Sequence, residues 1–356
     1  MIPLLRPNLP PMQNILMHLE KSRQENQWTN FGPCEKRASG LLQDLLKRYV
    51  LLTSNGTTAL QLALQAQLPQ GSLVAIPDFT FVATLNAVIS AGMVPVLFPA
   101  SPETWAIDLE TLWRENSKYD AFIVVQPFGY RLDFAAYDQL SNDLQKPLIY
   151  DCAAGFDFES HTTNTVCYSL HATKNLPIGE GGLIAFSSEF LCRRARMMCN
   201  FDFDDNREPV TTGGMNAKMD ELHAAVLLEQ LTRRDEFTNR IASHQHLCIQ
   251  YQNDLGSIVE PHDRYSASAP QLCVLRTKHA ELLSDVGPKR GVAFRRYYRP
   301  LLSKMVFSEH LQTVGRSSEY FDKFIAFPSD LINDEYGVVI ELVKALTKVN
   351  KRKTSH

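Results

Sequence analysis

The chain has 356 residues, of which 44% are apolar and 21% are charged, a composition typical of a globular protein with one or two domains. Its formal net charge of −3 gives no electrostatic basis for binding nucleic acid or an anionic membrane surface. Prolines and charges interrupt the N-terminal segment where a signal peptide needs an unbroken apolar core, and no apolar run reaches the length of a membrane span, so we expect a cytoplasmic protein.

The seven cysteines show no C-x-x-C pairing, and their number is odd. Reduced thiols in a cytoplasmic protein explain this pattern best, and the spacing offers no zinc site. We therefore expect neither disulfides nor a bound metal.

The first part of the chain is predicted to form an arm and two helices. Apolar residues at helical spacing within 14–24 predict the first helix, with Asn14 as its N-cap. The helical pattern resumes over 35–49.

Residues 50–190 alternate between short apolar runs and helical patterns. This alternation predicts an open α/β sheet with right-handed crossovers. In such sheets ligands bind beyond the carboxyl ends of the strands. The residues that we predict at this edge are Gly56, Phe81, Gln126 and Asp151.

The C-terminal half contains a predicted amphipathic helix over 215–231, which continues through 233–251. An irregular stretch with Gly and Pro follows over 254–268 and is typical of a boundary between lobes. We predict a large domain over residues 1–252 and a smaller α+β domain over 253–356.

The segment from Cys167 to Leu183 joins an apolar run to a lysine and a glycine-rich turn. The lysine is either an ordinary surface residue or a partly buried amine that reacts with an aldehyde, and this segment alone does not decide between them. Other segments supply what a pyridoxal phosphate (PLP) site needs. Lys174 would hold the aldehyde, and Asp151 would keep the pyridine nitrogen protonated, although an N-cap is the commoner role for such an aspartate.

The phosphate and the ring of PLP need further contacts. Residues 54–67 combine a polar turn with a helix whose N–H groups suit a phosphate, although an ordinary N-cap is the commoner reading. A phenylalanine near the strand ends would cover the ring, although Phe is more often core. The candidates for these contacts are Gly56, Thr57, Ser169, Phe81 and Phe79.

Six segments together resemble the DegT/DnrJ/EryC1/StrS aminotransferases, PLP enzymes that act mainly on nucleotide-linked keto-sugars. The resemblance runs nearly end to end and implies a fold-type-I PLP-dependent transferase, with a large, mostly parallel sheet domain and a smaller C-terminal α+β domain. The segments are SNGTTAL (54–60), PDFTFVATLNAVISAGMVPVLFPASPETWAID (77–108), IYDCAAG (149–155), SLHATKNLPIGEGG (169–182), GGMNAKMDELHAAV (213–226) and GVAFRRYYRPL (291–301).

The resemblance also implies a role for each matching residue. Lys174 forms the covalent link to PLP and, once released, moves the proton between the substrate carbon and the cofactor. Asp151 pairs with the pyridine nitrogen. Asn216 reaches the phosphate of the neighbouring subunit's cofactor, so that the working unit is a homodimer with shared sites. The implied cofactor contacts are Gly56, Thr57, Phe81, Asp151, Ser169, Lys174 and Asn216.

The substrates follow from the same resemblance. L-glutamate would donate the amino group and leave as 2-oxoglutarate, and a nucleotide-linked keto-sugar would accept it, in the biosynthesis of polysaccharides such as lipopolysaccharide O-antigen or of deoxyamino sugars. The GEGG segment (179–182) resembles enzymes that aminate C4 of the sugar more than C3. Arg295 and Tyr298 fall where the family's smaller domain borders its site, and they are implied to touch substrate.

Two positions depart from the family's pattern. Ala154 stands where a Gln or His usually binds the ring hydroxyl of the cofactor, and Gln126 is our candidate replacement. Lys218 stands where an arginine is usual, which weakens a bidentate carboxylate contact. Relatives with histidine in place of the lysine are dehydratases, and Lys174 argues against that reaction. His171 is expected to pack in its turn rather than to relay protons.

Two alternatives to a nucleotide-sugar aminotransferase stay open. One is amination of a cyclitol or another non-nucleotide ketone. The other is a PLP-binding homologue without turnover, for which Ala154 is the only indication. The loop 201–212 and the smaller domain are expected to determine which substrate is accepted.

Overall fold

A computed structural model describes residues 1–204, 206–211, 213–266 and 268–353. Residues 205 and 212 of the predicted loop therefore lie outside the described residues. Within these ranges, no helix is both long enough and apolar enough to cross a membrane.

Helices and strands alternate through the first half of the chain. The α-helices are α1 (Met12–Glu25), α2 (Pro33–Leu46), α3 (Gly56–Gln67), α4 (Val82–Ser90), α5 (Leu109–Arg114), α6 (Phe134–Leu144), α7 (Glu189–Met198), α8 (Glu221–Thr232), α9 (Arg234–Leu255), α10 (Ala280–Val286) and α11 (Glu335–Lys353). The strands are β1 (Tyr49–Thr53), β2 (Leu73–Pro77), β3 (Val94–Phe98), β4 (Ala121–Val125), β5 (Leu148–Asp151), β6 (Thr165–Ser169), β7 (Gly182–Phe186), β8 (Cys273–Arg276), β9 (Arg295–Arg296), β10 (Gln312–Thr313) and β11 (Phe324–Phe327).

The larger sheet has the strand order β1-β7-β6-β5-β4-β2-β3-β10 among the described residues. Strands β2 to β6 and β10 pair in parallel, whereas β7 runs antiparallel to both of its neighbours. The predicted α/β fold with a mostly parallel sheet is confirmed. Strand β7 follows β6 through residues 170–181, the connection that contains the lysine turn.

Each face of the large sheet is covered by helices, so successive strand residues enter two different cores. Phe122 and Val124 of β4 pack with α2 and α8, while Ile123 packs on the opposite side with α3 and α4. Burial on both faces explains the uninterrupted apolar sequence of β4.

The smaller sheet is antiparallel, with the order β8-β11-β9, and α9, α10 and α11 pack against it. The first residues of the chain join this region. Ile2 pairs with Val292, and the Ser329 N–H donates to the Leu4 carbonyl over 2.8 Å. The division into domains 1–252 and 253–356 stays a prediction.

Two local predictions were wrong. Helix α1 begins earlier than predicted, at Met12, with Pro11 in the N-cap position, and the side chain of Asn14 instead donates to Glu229. The predicted helix over 215–231 begins only at Glu221, because the preceding residues pair their backbone with other segments. The carboxylate of Asp220 caps this helix by accepting from the His223 N–H.

Candidate active site

A cleft of about 540 Å³ lies at the carboxyl ends of the central strands of the large sheet. Asp151 ends β5, Ser169 ends β6 and Gln126 directly follows β4, so the parallel topology places these three side chains at one edge. The predicted site residues that line the cleft are Gly56, Thr57, Phe81, Asp151, Ser169, Lys174, Arg295 and Tyr298. Asn216 does not line it.

Lys174 lies in the turn between β6 and β7. Its N–H donates to the His171 carbonyl over 2.8 Å. The Ala172 N–H donates to the Gly179 carbonyl over 2.7 Å and joins the two ends of the turn. The Lys174 ammonium donates to Gln271 Oε1 over 3.2 Å. Burial lowers the pKa of Lys174 to about 8, and the negative charge of Asp151 partly opposes that shift. A substantial fraction of this amine is therefore neutral near physiological pH.

Asp151 forms the floor of the cleft and is almost wholly buried. Thr84 Oγ1 donates to its Oδ2 over 2.7 Å, and the Ala153 N–H donates to its Oδ1 over 3.2 Å. Burial nevertheless raises the pKa of Asp151, despite these donors and the nearby Lys174. A cation placed against this carboxylate would offset the cost of its burial.

The N-terminus of α3 forms another wall of the cleft. Gly56 and Thr57 occupy its first positions, whose N–H groups a helix cannot satisfy internally, whereas the Asn55 side chain accepts from the Thr58 N–H. A Cβ on Gly56 would lie 2.8 Å from the Cβ of Ser169, so only glycine lets this turn approach the end of β6. Backbone donors, a hydroxyl and the positive helix end together form a site for an anion.

The two candidate phenylalanines have different surroundings. Phe79 is fully buried and packs on Phe321, with ring centroids 4.4 Å apart. Phe81 is 52% exposed and lines the cleft. Only Phe81 is therefore placed to cover a ring bound there. Beside it, Tyr298 stacks on Phe128 at 5.1 Å, and burial raises the pKa of Tyr298, helped by the charge of Asp151.

Asn216 lies in the extended segment before α8. The Lys218 ammonium donates to Asn216 Oδ1 and to Asn200 Oδ1, each over 2.7 Å. An ammonium has no acceptor, so it must face the oxygen of each carboxamide. This contact fixes the orientation of the Asn216 amide and turns its NH₂ donor away from Lys218.

One of the two departures from the family's pattern lies in the cleft, and the other, Lys218, is the residue that contacts Asn216 and Asn200. Ala154 lines the cleft, as does Gln126, whose Nε2 donates to the Tyr130 carbonyl over 3.1 Å. The Gln126 side chain fills the space beside Gly155 that a Cβ there would need. His171 also lines the cleft, and its Nδ1 shares a hydrogen bond of 3.0 Å with Thr173 Oγ1.

Two site residues were missed by the sequence reasoning. Thr84, which donates to Asp151, lies one turn into α4, and a Thr in an apolar helix gave no distinctive signal. Gln271, which accepts from Lys174, lies two residues before β8, almost 100 residues further along the chain than Lys174. No pattern in the sequence connects Gln271 with Lys174.

The donor set of the cleft fits PLP. A partly neutral lysine amine suits an aldehyde, a buried carboxylate suits a protonated pyridine nitrogen, and the α3 N-terminus, where a Cβ on Gly56 would close the approach, suits a phosphate. Together with the fold, this cleft defines a PLP-dependent aminotransferase. The chain belongs to the DegT/DnrJ/EryC1/StrS aminotransferase family, which matches residues 12–343.

Named relatives resemble this chain over part of its length. The dTDP-4-amino-4,6-dideoxy-D-glucose transaminase of Shigella dysenteriae is 31% identical over 240 residues, which cover 65% of each protein. The 3-oxo-glucose-6-phosphate:glutamate aminotransferase of Bacillus subtilis (strain 168) is 32% identical over 209 residues, covering 56% of this chain and 47% of the relative.

The fold is shared with a solved structure. DesI, crystallised in the presence of its TDP-sugar product, superimposes with a TM-score of 0.86 at 24% identity, covering 100% of this chain and 96% of DesI. At this identity the similarity establishes the fold alone.

Proposed function

We propose that this aminotransferase moves an amino group from L-glutamate to the keto group of a nucleotide-linked sugar, with C4 as the favoured position. The observation that carries the transfer chemistry is the convergence of Lys174, Asp151 and the α3 N-terminus on one cleft. The choice of substrate is supported by the Shigella relative, whose name specifies a dTDP-linked 4-amino sugar, and by the resemblance of the GEGG segment (179–182) to C4 enzymes.

When bound, PLP would supply an electron sink, so that the amino-bearing carbon of the donor can lose its proton and the cofactor can carry the amino group to the keto carbon of the acceptor. Lys174 would hold the cofactor and then serve as the acid–base group. Its Nζ, with a pKa of about 8, can accept a proton from carbon and return it near neutral pH. Asp151 would keep the proton on the pyridine nitrogen, and that cation would offset the cost of burying the carboxylate.

The remaining cofactor contacts come from both sides of the cleft. Gly56, Thr57 and Ser169 would bind the phosphate, and Phe81 would cover the ring. We propose that Asn216 of a second copy completes the phosphate site. The contact from Lys218 supports this proposal, because it leaves the Asn216 NH₂ group as the donor that faces outward.

The proposed substrate contacts are residues that line the cleft. Arg295 and Tyr298 border the cleft next to Phe81. A guanidinium there suits the phosphate or carboxylate oxygens of a sugar nucleotide or of glutamate. A cytoplasmic location and a role in polysaccharide or deoxyamino-sugar synthesis complete the proposal.

A second candidate is amination of a ketone without a nucleotide. The Bacillus relative supports it, because its name specifies a sugar phosphate that carries the ketone at C3. A homologue without turnover is not favoured, because the chain belongs to an aminotransferase family.

A paired substrate assay tests the proposal. We expect the protein, given L-glutamate and a dTDP-linked 4-keto sugar, to release 2-oxoglutarate and one equivalent of the 4-amino sugar. Matched reactions contain a UDP-linked 3-keto sugar or 3-oxo-glucose 6-phosphate. Turnover confined to the sugar phosphate would establish the second candidate. If no keto substrate gives 2-oxoglutarate, the proposal that L-glutamate is the amino donor is wrong.

The control variant is Lys174→Ala. Because Lys174 lines a cleft rather than the core, the variant should fold normally but lose the visible absorbance of bound PLP and about 10³-fold or more of its turnover. Normal turnover in this variant would contradict the role of Lys174.

A further inference from the structure

Gln271 connects the lysine turn to the chain that leads into β8. Its Oε1 accepts from Lys174 Nζ over 3.2 Å, and its Nε2 donates to the Thr173 carbonyl over 2.8 Å. The side chain is buried at the wall of the cleft. One carboxamide therefore contacts both the reactive amine and the backbone of the residue beside it.

The chemistry of the two partners fixes the orientation of this amide. A carbonyl can only accept and an ammonium can only donate, so the NH₂ end must face Thr173 and the oxygen must face Lys174. A flipped amide would place two donors together at Lys174 and two acceptors together at Thr173. Gln271 therefore presents an acceptor to the amine in a single arrangement.

The backbone of this segment is held firmly. The Gln271 N–H donates to the Phe128 carbonyl over 2.9 Å, and the Ala269 N–H donates to the Gly129 carbonyl over 3.1 Å. On the other side, Asn175 Nδ2 donates to the Ala269 carbonyl over 2.7 Å. The segment is clamped between the loop after β4 and the lysine turn, so the Gln271 oxygen cannot drift from Lys174.

We propose that Gln271 is a positioning residue that binds the Lys174 amine whenever this amine is not joined to the cofactor, and keeps it aimed into the cleft. The inference rests on the proposed function, in which Lys174 is released during each turnover. An amine on a flexible four-carbon chain would otherwise sample several rotamers, and holding it in one place shortens the search for the substrate carbon.

The charged and titratable groups around this amine are few. Asp151, on β5, is the group whose charge acts on Lys174. The other titratable side chains that line the cleft are His171, Glu180, Arg295, Tyr297 and Tyr298. Gln271 adds a neutral acceptor, which stabilises the ammonium over the amine without adding a second negative charge.

The two substitutions of Gln271 therefore have opposite expected effects. Gln271→Met keeps the size of the side chain but removes the acceptor, so Lys174 should lose its proton at lower pH. Gln271→Glu adds a negative charge, so Lys174 should keep its proton to higher pH. Gln271→Met is the decisive variant, because a residue that only filled space would leave the midpoint of Lys174 unchanged in it, whereas a carboxylate at this position raises the pKa of Lys174 in either case.

The test measures the acylation of Lys174 in the full-length chain saturated with pyridoxamine phosphate, which has no aldehyde and leaves the amine free. Lys174 is labelled with trace acetic anhydride from pH 6 to 10, and the labelling rate is read by mass spectrometry of the Lys174 peptide. The midpoint of the rate against pH reports the pKa of Lys174, and the plateau at high pH reports the reactivity of the neutral amine. At pH 7 we expect labelling about three- to fivefold faster in Gln271→Met and about tenfold slower in Gln271→Glu.

Gln252→Met is the matched control, because it removes a buried amide that contacts His262, outside the cleft lining. Its midpoint should equal that of the unchanged protein. An unchanged midpoint in Gln271→Met would overturn this inference while leaving the proposed function intact. Lys174 labelling with the midpoint of an ordinary surface lysine in the unchanged protein would instead count against the proposed function itself.

Discussion

Two aspartates in this protein are removed from water in different ways. Asp330, near the smaller sheet, accepts from Arg240 Nη2 over 2.8 Å and contacts His244 Nε2 at 2.9 Å, and these partners hold its pKa well below the usual range. Among the residues that the structure describes, the donors to Asp151 in the cleft are a hydroxyl and a backbone N–H, both neutral, and burial raises its pKa.

This contrast distinguishes a carboxylate that stabilises the fold, Asp330, from one that serves a ligand, Asp151. At Asp330 two basic side chains offset the cost of burial, so the carboxylate stabilises the fold. At Asp151 that cost is only partly offset within the chain, and a protein retains such a group where a ligand supplies the missing cation. Four experiments test this difference, and they follow from the largest expected effect to the smallest.

Asp151→Asn should lower turnover by about 10²–10³-fold, because an amide cannot keep the pyridine nitrogen protonated. Stability without cofactor should stay equal or rise, since an incompletely compensated carboxylate is removed. Steady-state assays and urea unfolding measure the two effects. A large loss of stability with normal turnover would reverse our assignment of Asp151.

Asp330→Asn should show the opposite pattern. The free energy of unfolding should fall by about 2–3 kcal/mol, because Arg240 and His244 lose the negative charge that they share and one of its two accepting oxygens. Turnover per folded molecule should stay within about twofold. Comparable losses of turnover in both aspartate variants would remove the distinction between the two regions.

The contributions of Asp330 and Asp151 to stability should change with pH in opposite directions. The pKa of Asp330 is depressed in the folded state, so its contribution is present above the unfolded value of about 3.9 and is lost as pH falls below it. The pKa of Asp151 is raised, so its contribution is present below about 3.9 and is lost as pH rises through the folded pKa.

Urea unfolding of the cofactor-free chain at pH 4 and pH 7 checks these signs. Relative to the unchanged protein, Asp151→Asn should gain more stability at pH 7 than at pH 4. Asp330→Asn should lose nearly as much at pH 4 as at pH 7, because the contribution of Asp330 is lost only below about pH 3.9. Identical pH profiles for the two variants would contradict the opposite shifts.

Phe81→Ala should have the smallest effect. Losing a partly exposed ring should weaken PLP binding by about three- to tenfold and change stability little. Phe79→Ala is the comparison, because its ring is fully buried and its loss should cost about 3–5 kcal/mol of stability. Unchanged PLP affinity in Phe81→Ala would exclude ring stacking at this position.

The sequence was sufficient to predict the parallel sheet and its ligand-binding edge, because the period of alternation and the polar residues after the strands are local signals. Phe81 and Asp151 were predicted at this edge and Lys174 was predicted as the amine of the same site, and the structure places all three around one cleft. Their chemical roles stay predictions.

The errors arose where long-range pairing overrides local pattern. The residues before Glu221 have helical character, but Asn216 pairs with Asn200 and Lys218 pairs with Thr53, which extends the backbone. Asp220, an N-cap residue type directly before the apolar run, was a signal that could have placed the helix start correctly. Gln271 reaches Lys174 only through the packing of the segment before β8, which no local pattern records.

The pairing of Ile2 with Val292 and of Leu4 with Ser329 also governs when the cleft can form. Leu4 and Leu5 line the cleft, yet Ser329, which binds the Leu4 carbonyl, is synthesised more than 300 residues later. A nascent chain that has not reached this residue can pair strands β1 to β7 and form the lysine turn, but it leaves this wall open. Full enclosure of the reactive amine therefore requires the segment around Ser329.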